Sequence, residues 1–153
     1  MQERWSRRMN SAEETKLFAQ KLGERLSGGE VLTLTGDLGA GKTTFTQGLA
    51  QGLGVKRHVN SPTFTIIKEY QGSKLPLYHM DAYRLEEQEE DLGFDEYFYG
   101  QGVSVIEWPQ MIQEFIPAEH LEIEIKKLDE EAREMVLIPH GERYHHLLKE
   151  VLT

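Results

Sequence analysis

Residues Gly36-Asp37-Leu38-Gly39-Ala40-Gly41-Lys42-Thr43 carry the spacing G-x-x-x-x-G-K-[ST] and follow a strand-like run, Val31-Leu32-Thr33-Leu34-Thr35. This motif constrains the fold more than any other, because it dictates a strand, a tight phosphate-binding loop and a helix in immediate succession. Glycine at 36, 39 and 41 lets the backbone curl until successive N–H groups point at a polyphosphate seated on the positive end of the next helix. Lys42 is expected to reach the outer phosphates as a mobile point charge. Thr43 is expected to place its hydroxyl on a magnesium ion bridging them. The competing reading is a glycine-rich strand-to-helix turn that holds nothing.

The flanking segments read as alternating helices and strands. Ser11 and Glu14 have capping-box spacing, and Phe18, Leu22 and Leu26 recur behind them, predicting a helix over about 11–26 that Gly28-Gly29 stops. Phe45, Leu49 and Leu53 mark one face of the helix after the loop, which Gly52 and Gly54 bring to an end. Arg4 to Met9 alternates like a short edge strand. Thr65 to Tyr70 and Leu75 to Met80 form a predicted hairpin around Gly72-Ser73, with Pro76 tolerated only near a strand start. Leu85 to Tyr99 reads as an acidic, mostly helical stretch.

Val103-Ser104-Val105-Ile106 lacks polar alternation and is expected to be a central strand covered on both faces. A helical turn over Pro109 to Phe115 follows, then two half-exposed strands, Leu121 to Ile125 and Glu134 to Ile138, around a charged turn. The chain closes with an amphipathic helix carrying Tyr144, Leu147, Leu148 and Val151 on its apolar side. No repeat or linker divides the 153 residues, so one domain over 1–153 is expected. The pattern is that of an α/β sandwich with a mostly parallel central sheet and antiparallel edge strands.

Composition narrows the function. There is no cysteine, which excludes disulfides and thiolate metal sites. The opening Met1 to Arg8 lacks the apolar stretch of a secretory signal, and no apolar run approaches a membrane span, so a cytoplasmic protein is expected. With 26 acidic against 17 basic residues, the formal charge of −9 argues against direct nucleic-acid binding.

Ligands of such sheets sit at the carboxyl ends of the strands, which draws attention to Asp81 after Leu77-Tyr78-His79-Met80 and Glu107 after Val103-Ser104-Val105-Ile106. One carboxylate would hold magnesium and the other orient the attacking water; position alone does not assign them. Thr63, within Ser61-Pro62-Thr63-Phe64, could meet an outermost phosphate, although on residue chemistry alone a proline turn starting a strand is the favoured explanation of the segment. His79 shares a strand face with Asp81, and Arg84 follows; each is either a site residue or a packed structural one. His145-His146 lacks a third ligand at metal spacing and reads as surface. The acidic run Glu86 to Asp91 reads as a solvated helix face, and the aromatic residues beyond it as sheet packing or a partner surface.

Four blocks in this order resemble the TsaE (YjeE) family of small P-loop ATPases that support threonylcarbamoyladenosine modification of bacterial tRNA. They are Gly36 to Thr44, Ser61 to Phe64, His79 to Arg84 as His-Met-Asp-Ala-Tyr-Arg, and Ile106 to Pro109 as Ile-Glu-Trp-Pro. The resemblance spans nearly the whole chain and implies a three-layer P-loop NTPase sandwich. It further implies that Asp37, Gly39, Ala40, Gly41, Lys42, Thr43 and Thr44 bind ATP and that Thr43 and Glu107 coordinate Mg2+. Asp81 is then required for hydrolysis, and Thr63 senses the terminal phosphate, with Lys42 assisting. Thr15 and the turn Glu131 to Arg133 are implied to lie near the nucleoside, and Trp108 follows the metal carboxylate.

The implied function is a slow, partner-stimulated, Mg2+-dependent ATPase acting on a TsaD–TsaB complex, with tRNA held by the partners. A small-molecule P-loop kinase is the main alternative. Such kinases close an arginine-rich lid over the phosphate, and the corresponding stretch here is acidic, with Arg84 its only arginine. A guanine-specific switch would carry Asn-Lys-x-Asp; Lys126-Lys127-Leu128-Asp129 lacks the asparagine.

Overall fold

The computed structural model describes residues 3–36, 40–56, 59, 67–82 and 94–152. Within them the order is β1 (Trp5–Met9), α1 (Ala12–Glu24), β2 (Val31–Gly36), α2 (Lys42–Gly52), β3 (Ile67–Tyr70), β4 (Leu77–Asp81), α3 (Phe94–Phe98), β5 (Val103–Glu107), a 3-10 segment (Pro109–Phe115), β6 (His120–Lys127), β7 (Arg133–His140) and α4 (Glu142–Leu152). The seven strands form one sheet in the order β1-β7-β6-β2-β5-β4-β3. Its middle, β6-β2-β5-β4, is parallel, and both margins are closed by antiparallel neighbours. The fold is therefore the α/β sandwich expected, with β5 fully buried between β2 and β4.

Local chemistry explains the element ends. The Ser11 hydroxyl accepts from Glu14 N–H at 3.2 Å, and Glu13 and Glu14 place negative charge at the positive end of α1. Pro76 stands just before β4, where its missing N–H costs nothing while its carbonyl accepts from Val103 N–H at 2.9 Å. The predicted hairpin closes as β3 against β4, with Tyr70 opposite Leu77; Thr65 and Ile66 lie outside the described residues. The segment 83–93, including the acidic run, also lies outside them.

Alternation along the strands separates two apolar layers. Leu32, Leu34, Val105, Leu121, Ile123, Ile125 and Leu137 join α1, α2 and α4 in the larger core. Val31, Met80 and Ile106 meet Phe94, Phe98 and Ile112 on the opposite face. Tyr144 of α4 is buried in the larger core, and its hydroxyl accepts from Val31 N–H at 2.9 Å; burial pushes its pKa up. This bond satisfies the first backbone donor of β2 and ties the last helix to the central strand.

Helices α1 and α2 pack backbone against backbone. A Cβ at Gly48 would lie 2.3 Å from the Lys16 carbonyl, one at Gly52 2.3 Å from the Gln20 carbonyl, and one at Gly23 2.6 Å from the Leu49 carbonyl. Glycine at 48 and 52 thus serves backbone contact, and Gly52 the helix end as well. Gly48→Ala raises helix propensity by about 1 kcal/mol, yet overpacking of this kind costs about 1–3 kcal/mol or more. Chemical denaturation of Gly48→Ala should therefore show a net loss of stability; a gain would contradict this close approach.

Candidate nucleotide site

The site forms where β2 and β5 end side by side. Leu34 of β2 pairs with Glu107, the last residue of β5, and Glu107 pairs in turn with Asp81 at the end of β4. Parallel register therefore brings both sequence-predicted carboxylates to one end of the sheet, beside the strand that leads into the glycine-rich loop. Of that loop, Gly36, Ala40 and Gly41 are described, and Asp37 and Gly39 lie outside the described residues. Gly41 is the N-cap of α2 at φ 112°, a conformation that a side chain would strain. Gly36 answers a different constraint: a Cβ there would lie 2.6 Å from the Ile125 carbonyl of β6.

Lys42 opens α2 and is 8% exposed; its Nζ lies 4.0 Å from Glu107 Oε1 and 4.6 Å from the centroid of the Trp108 ring. The other Glu107 oxygen, Oε2, lies 2.6 Å from His79 Nε2, and His79 is fully buried. One carboxylate is thus shared between a lysine ammonium and an imidazole in a nearly dry setting, where Coulomb attraction is screened far less than in water. The Nδ1 of His79 has no hydrogen-bond partner among the described residues. Trp108 sits at φ 59°, ψ 51°, a left-handed conformation uncommon for a bulky residue, and this turn swings its ring over Lys42. Thr43 and Thr44 follow on the first turn of α2, both partly exposed.

Beside Ala40 and Gly41 opens a cavity of about 470 Å³, walled by Ser11 at the cap of α1, Glu13 and Thr15 of α1, Thr44 of α2, Glu131 from the β6–β7 turn and Arg133 at the start of β7. Thr15 is buried, with its hydroxyl 3.4 Å from the Ser11 carbonyl, so it contributes a wall. Arg133 spans the cavity margin: its Nε donates to the Ala40 carbonyl at 2.9 Å and its Nη1 to the Asp129 carbonyl at 2.8 Å. The sequence-implied nucleoside residues Thr15, Glu131 and Arg133 are therefore brought together, around one cavity, with Ala40, Gly41 and Thr44. Thr63 and Arg84 lie outside the described residues. The His79–Glu107 pair and the Arg133–Ala40 bond were not specified by the sequence, since both depend on strand register across long separations.

A strand, a glycine-rich loop and a helix opening on lysine, with a carboxylate at the end of the adjacent parallel strand, define a P-loop NTPase-like α/β protein. Comparisons with known proteins sharpen this class. The family model described as TsaE, threonylcarbamoyl adenosine biosynthesis protein TsaE, matches residues 9–135. A Bacillus subtilis protein described as tRNA threonylcarbamoyladenosine biosynthesis protein TsaE is 56% identical over 139 residues, covering 91% of this chain and 88% of its own. A Treponema pallidum protein of the same description is 42% identical over 129 residues, covering 83% and 95%. The crystal structure of Bacillus subtilis YdiB superposes with a TM-score of 0.86 at 47% identity, covering 99% of this chain and 95% of that one. The chain belongs to the TsaE family.

The turn that carries Glu131 and Arg133 is organised by Asp129, whose Oδ1 accepts from Ala132 N–H at 2.7 Å and Glu131 N–H at 2.9 Å. These bonds to Ala132 and Glu131 hold its carboxyl below the usual value. A carboxylate stabilised in this way keeps its bonds above an unfolded pKa of about 3.9 and loses them as pH falls through the lower folded value. Two-dimensional NMR should show the Glu131 and Ala132 amide resonances titrating below the ordinary carboxylate range, and Asp129→Ala should accelerate exchange of both amides. Unchanged exchange in the variant would remove Asp129 from this role.

Proposed function

We propose that this chain is a Mg2+-dependent ATPase that serves the threonylcarbamoyl modification of tRNA by acting on a protein complex of the TsaD–TsaB kind. The observation that carries the reading is the meeting of Lys42 at the start of α2 with the strand-end carboxylate Glu107, next to a cavity of about 470 Å³. That volume falls in the range of small-molecule sites. Support for the pathway comes from the family model and from the descriptions of the relatives, which name tRNA threonylcarbamoyladenosine biosynthesis.

The donor set suits the cofactor. Glu107 and the Thr43 hydroxyl are hard oxygen ligands of the kind magnesium prefers, and these two residues would hold it against the phosphates. When bound, the ion would supply charge neutralisation on the phosphate oxygens. Gly39 to Thr44, with Asp37, would cradle the phosphates, and Lys42 would leave Glu107 and Trp108 to meet them. The ammonium would trade a carboxylate and an aromatic face for the anionic phosphates. Asp81, in register with Glu107, would orient the attacking water, and Thr63 would report the terminal phosphate. His79 holds Glu107 Oε2 and so fixes the direction of its remaining oxygen.

The nucleoside would occupy the cavity walled by Thr15 and Arg133. Arg133 is tethered to the Ala40 carbonyl, so its guanidinium closes the margin of the phosphate loop. Turnover in isolation is expected to be slow, because phosphoryl transfer depends on positioned charge that a partner completes. The acidic chain leaves tRNA contact to those partners, and cytoplasmic residence fits the same role; among the described residues no helix is long and apolar enough to cross a membrane.

Steady-state ATP hydrolysis with and without a TsaD–TsaB pair tests this reading. Stimulation by the pair is expected. Lys42→Ala should weaken nucleotide binding roughly 10–100-fold, the loss of one charged hydrogen bond worth about 1.5–3 kcal/mol. Glu107→Ala should abolish metal-dependent turnover, with circular dichroism confirming that the variant folds. Equal turnover with and without the pair would defeat the partner-driven mechanism, and efficient phosphorylation of a metabolite would favour a kinase instead.

A further inference from the structure

On the sheet face away from α1 and α2, three side chains of the type that bind transition metals converge. Leu121, Ile123 and Ile125 point into the helix-covered core, so His120 and Glu122, which alternate with them on β6, point the other way. His140 of β7 is the register partner of His120 across the antiparallel pair. Positions i and i+2 on one strand with the directly opposed residue on the next form a compact triangle on one face. One ligand atom from each residue lies within 4.8 Å of the others. Tetrahedral coordination at bond lengths of about 2.0–2.2 Å needs a somewhat tighter set, within reach of side-chain rotation.

We propose that His120, Glu122 and His140 form a binding site for a zinc-class dication, separate from the nucleotide site.

Three features support it. First, the His120 Nδ1 lies 2.9 Å from the Pro117 carbonyl, which has only lone pairs to offer, so Nδ1 carries the proton and Nε2 keeps its lone pair. A backbone carbonyl on the second ring nitrogen is the arrangement that orients metal-binding histidines. Second, the His120 and His140 rings stack at 4.3 Å with a 20° interplanar angle, and two imidazolium ions would repel in that arrangement. Third, Glu122 Oε1 lies 2.9 Å from His140 Nε2, so anion and ring nitrogen are already side by side. On metal binding His140 exchanges tautomer through solvent, Nδ1 taking up a proton as Nε2 gives one up, and the freed Nε2 lone pair and Glu122 Oε1 turn to the cation.

The donor types select the metal. Two imidazoles and one carboxylate suit zinc, cobalt or nickel, whereas magnesium prefers an all-oxygen shell. Three protein ligands leave a position for water or an incoming group. A small cavity of about 150 Å³ bounded by Thr33, Thr35, Gln110 and Gln113 adjoins His120 and Glu122. A cation held there would link β6 and β7 to the wall formed by Pro109–Phe115, the segment that directly follows Trp108. The other histidine pair is built differently: His145 and His146 of α4 contact Glu3 and Glu142, respectively, on an exposed surface.

Titrating untagged, chelator-treated and desalted protein with Co2+ tests the site. Saturation at one equivalent is expected, with the intense visible bands of a low-coordinate cobalt centre, displaced by Zn2+ and unaffected by millimolar Mg2+. Zn2+ should also raise the melting temperature. His120→Ala and His140→Ala should each weaken Co2+ binding by at least the 10–100-fold that loss of an outer-shell partner causes. The double variant His145→Ala/His146→Ala should bind as the wild type does. Should either β-strand histidine variant fail to fold, Glu122→Gln, which keeps the side-chain shape, must show the same loss. Absence of saturable binding, unchanged affinity in the β6 and β7 variants, or loss of binding in the α4 variant would overturn the proposal.

Discussion

The parallel pairing of β2 with strands on both sides is the constraint on which the rest depends. β2 is hydrogen-bonded to β5 through Leu34 and Glu107 and to β6 through Gly36 and Ile125. Because the strands run the same way, their carboxyl ends finish together, and whatever each delivers there meets the others. β2 delivers the glycine-rich loop, β5 delivers Glu107 and Trp108, β4 delivers Asp81. An antiparallel neighbour would have sent Glu107 to the far end of the sheet. Gly36 shows how tight this requirement is, since even a methyl group would strike the β6 backbone.

Burial then converts proximity into electrostatics. Lys42, Glu107 and His79 are each less than a tenth exposed. Desolvating charges at this depth costs several kcal/mol per ion, repaid only by close opposite charge and hydrogen bonds. A hydrophobic trio of equal volume would pack as well and forgo that cost. On the proposed reading, retaining the polar set makes sense because one member would change partners: Lys42 rests on Glu107 and on the electron-rich face of Trp108, and a phosphate would compete for it. The left-handed backbone at Trp108 is a further expense at the same place, which follows the pattern of strain concentrated at working sites.

Much of this was legible in the sequence, and the limits are physical. The capping box at Ser11, the apolar stripe of α4 and the uninterrupted apolar run of β5 are local signals, and each produced the element expected. The P-loop spacing and the blocks around Asp81 and Glu107 identified the carboxylates, because position after a strand is itself a local property. Register was not legible. Nothing near His79 announces Glu107 as its partner 28 residues away, and nothing near His120 announces His140. Gly52 reads in the sequence as a helix end and Gly48 carries no signal at all, since a sequence shows a missing side chain but not the neighbouring backbone that requires it to be missing.

That backbone contact reaches the site. Helices with ordinary side chains between them stand about 8–10 Å apart; glycines at 23, 48 and 52 allow α1 and α2 to approach until carbonyls of one meet Cα atoms of the other. α2 packs on the sheet through Phe45 and Leu49, so the close approach determines where α1 lies, and the first turn of α1 is one wall of the cavity beside Ala40 and Gly41. A side chain at Gly48 would push Ser11, Glu13 and Thr15 outward although it touches none of them. The width of this cavity is therefore set by residues that never face it, and substitutions between the helices act on its shape through geometry rather than contact.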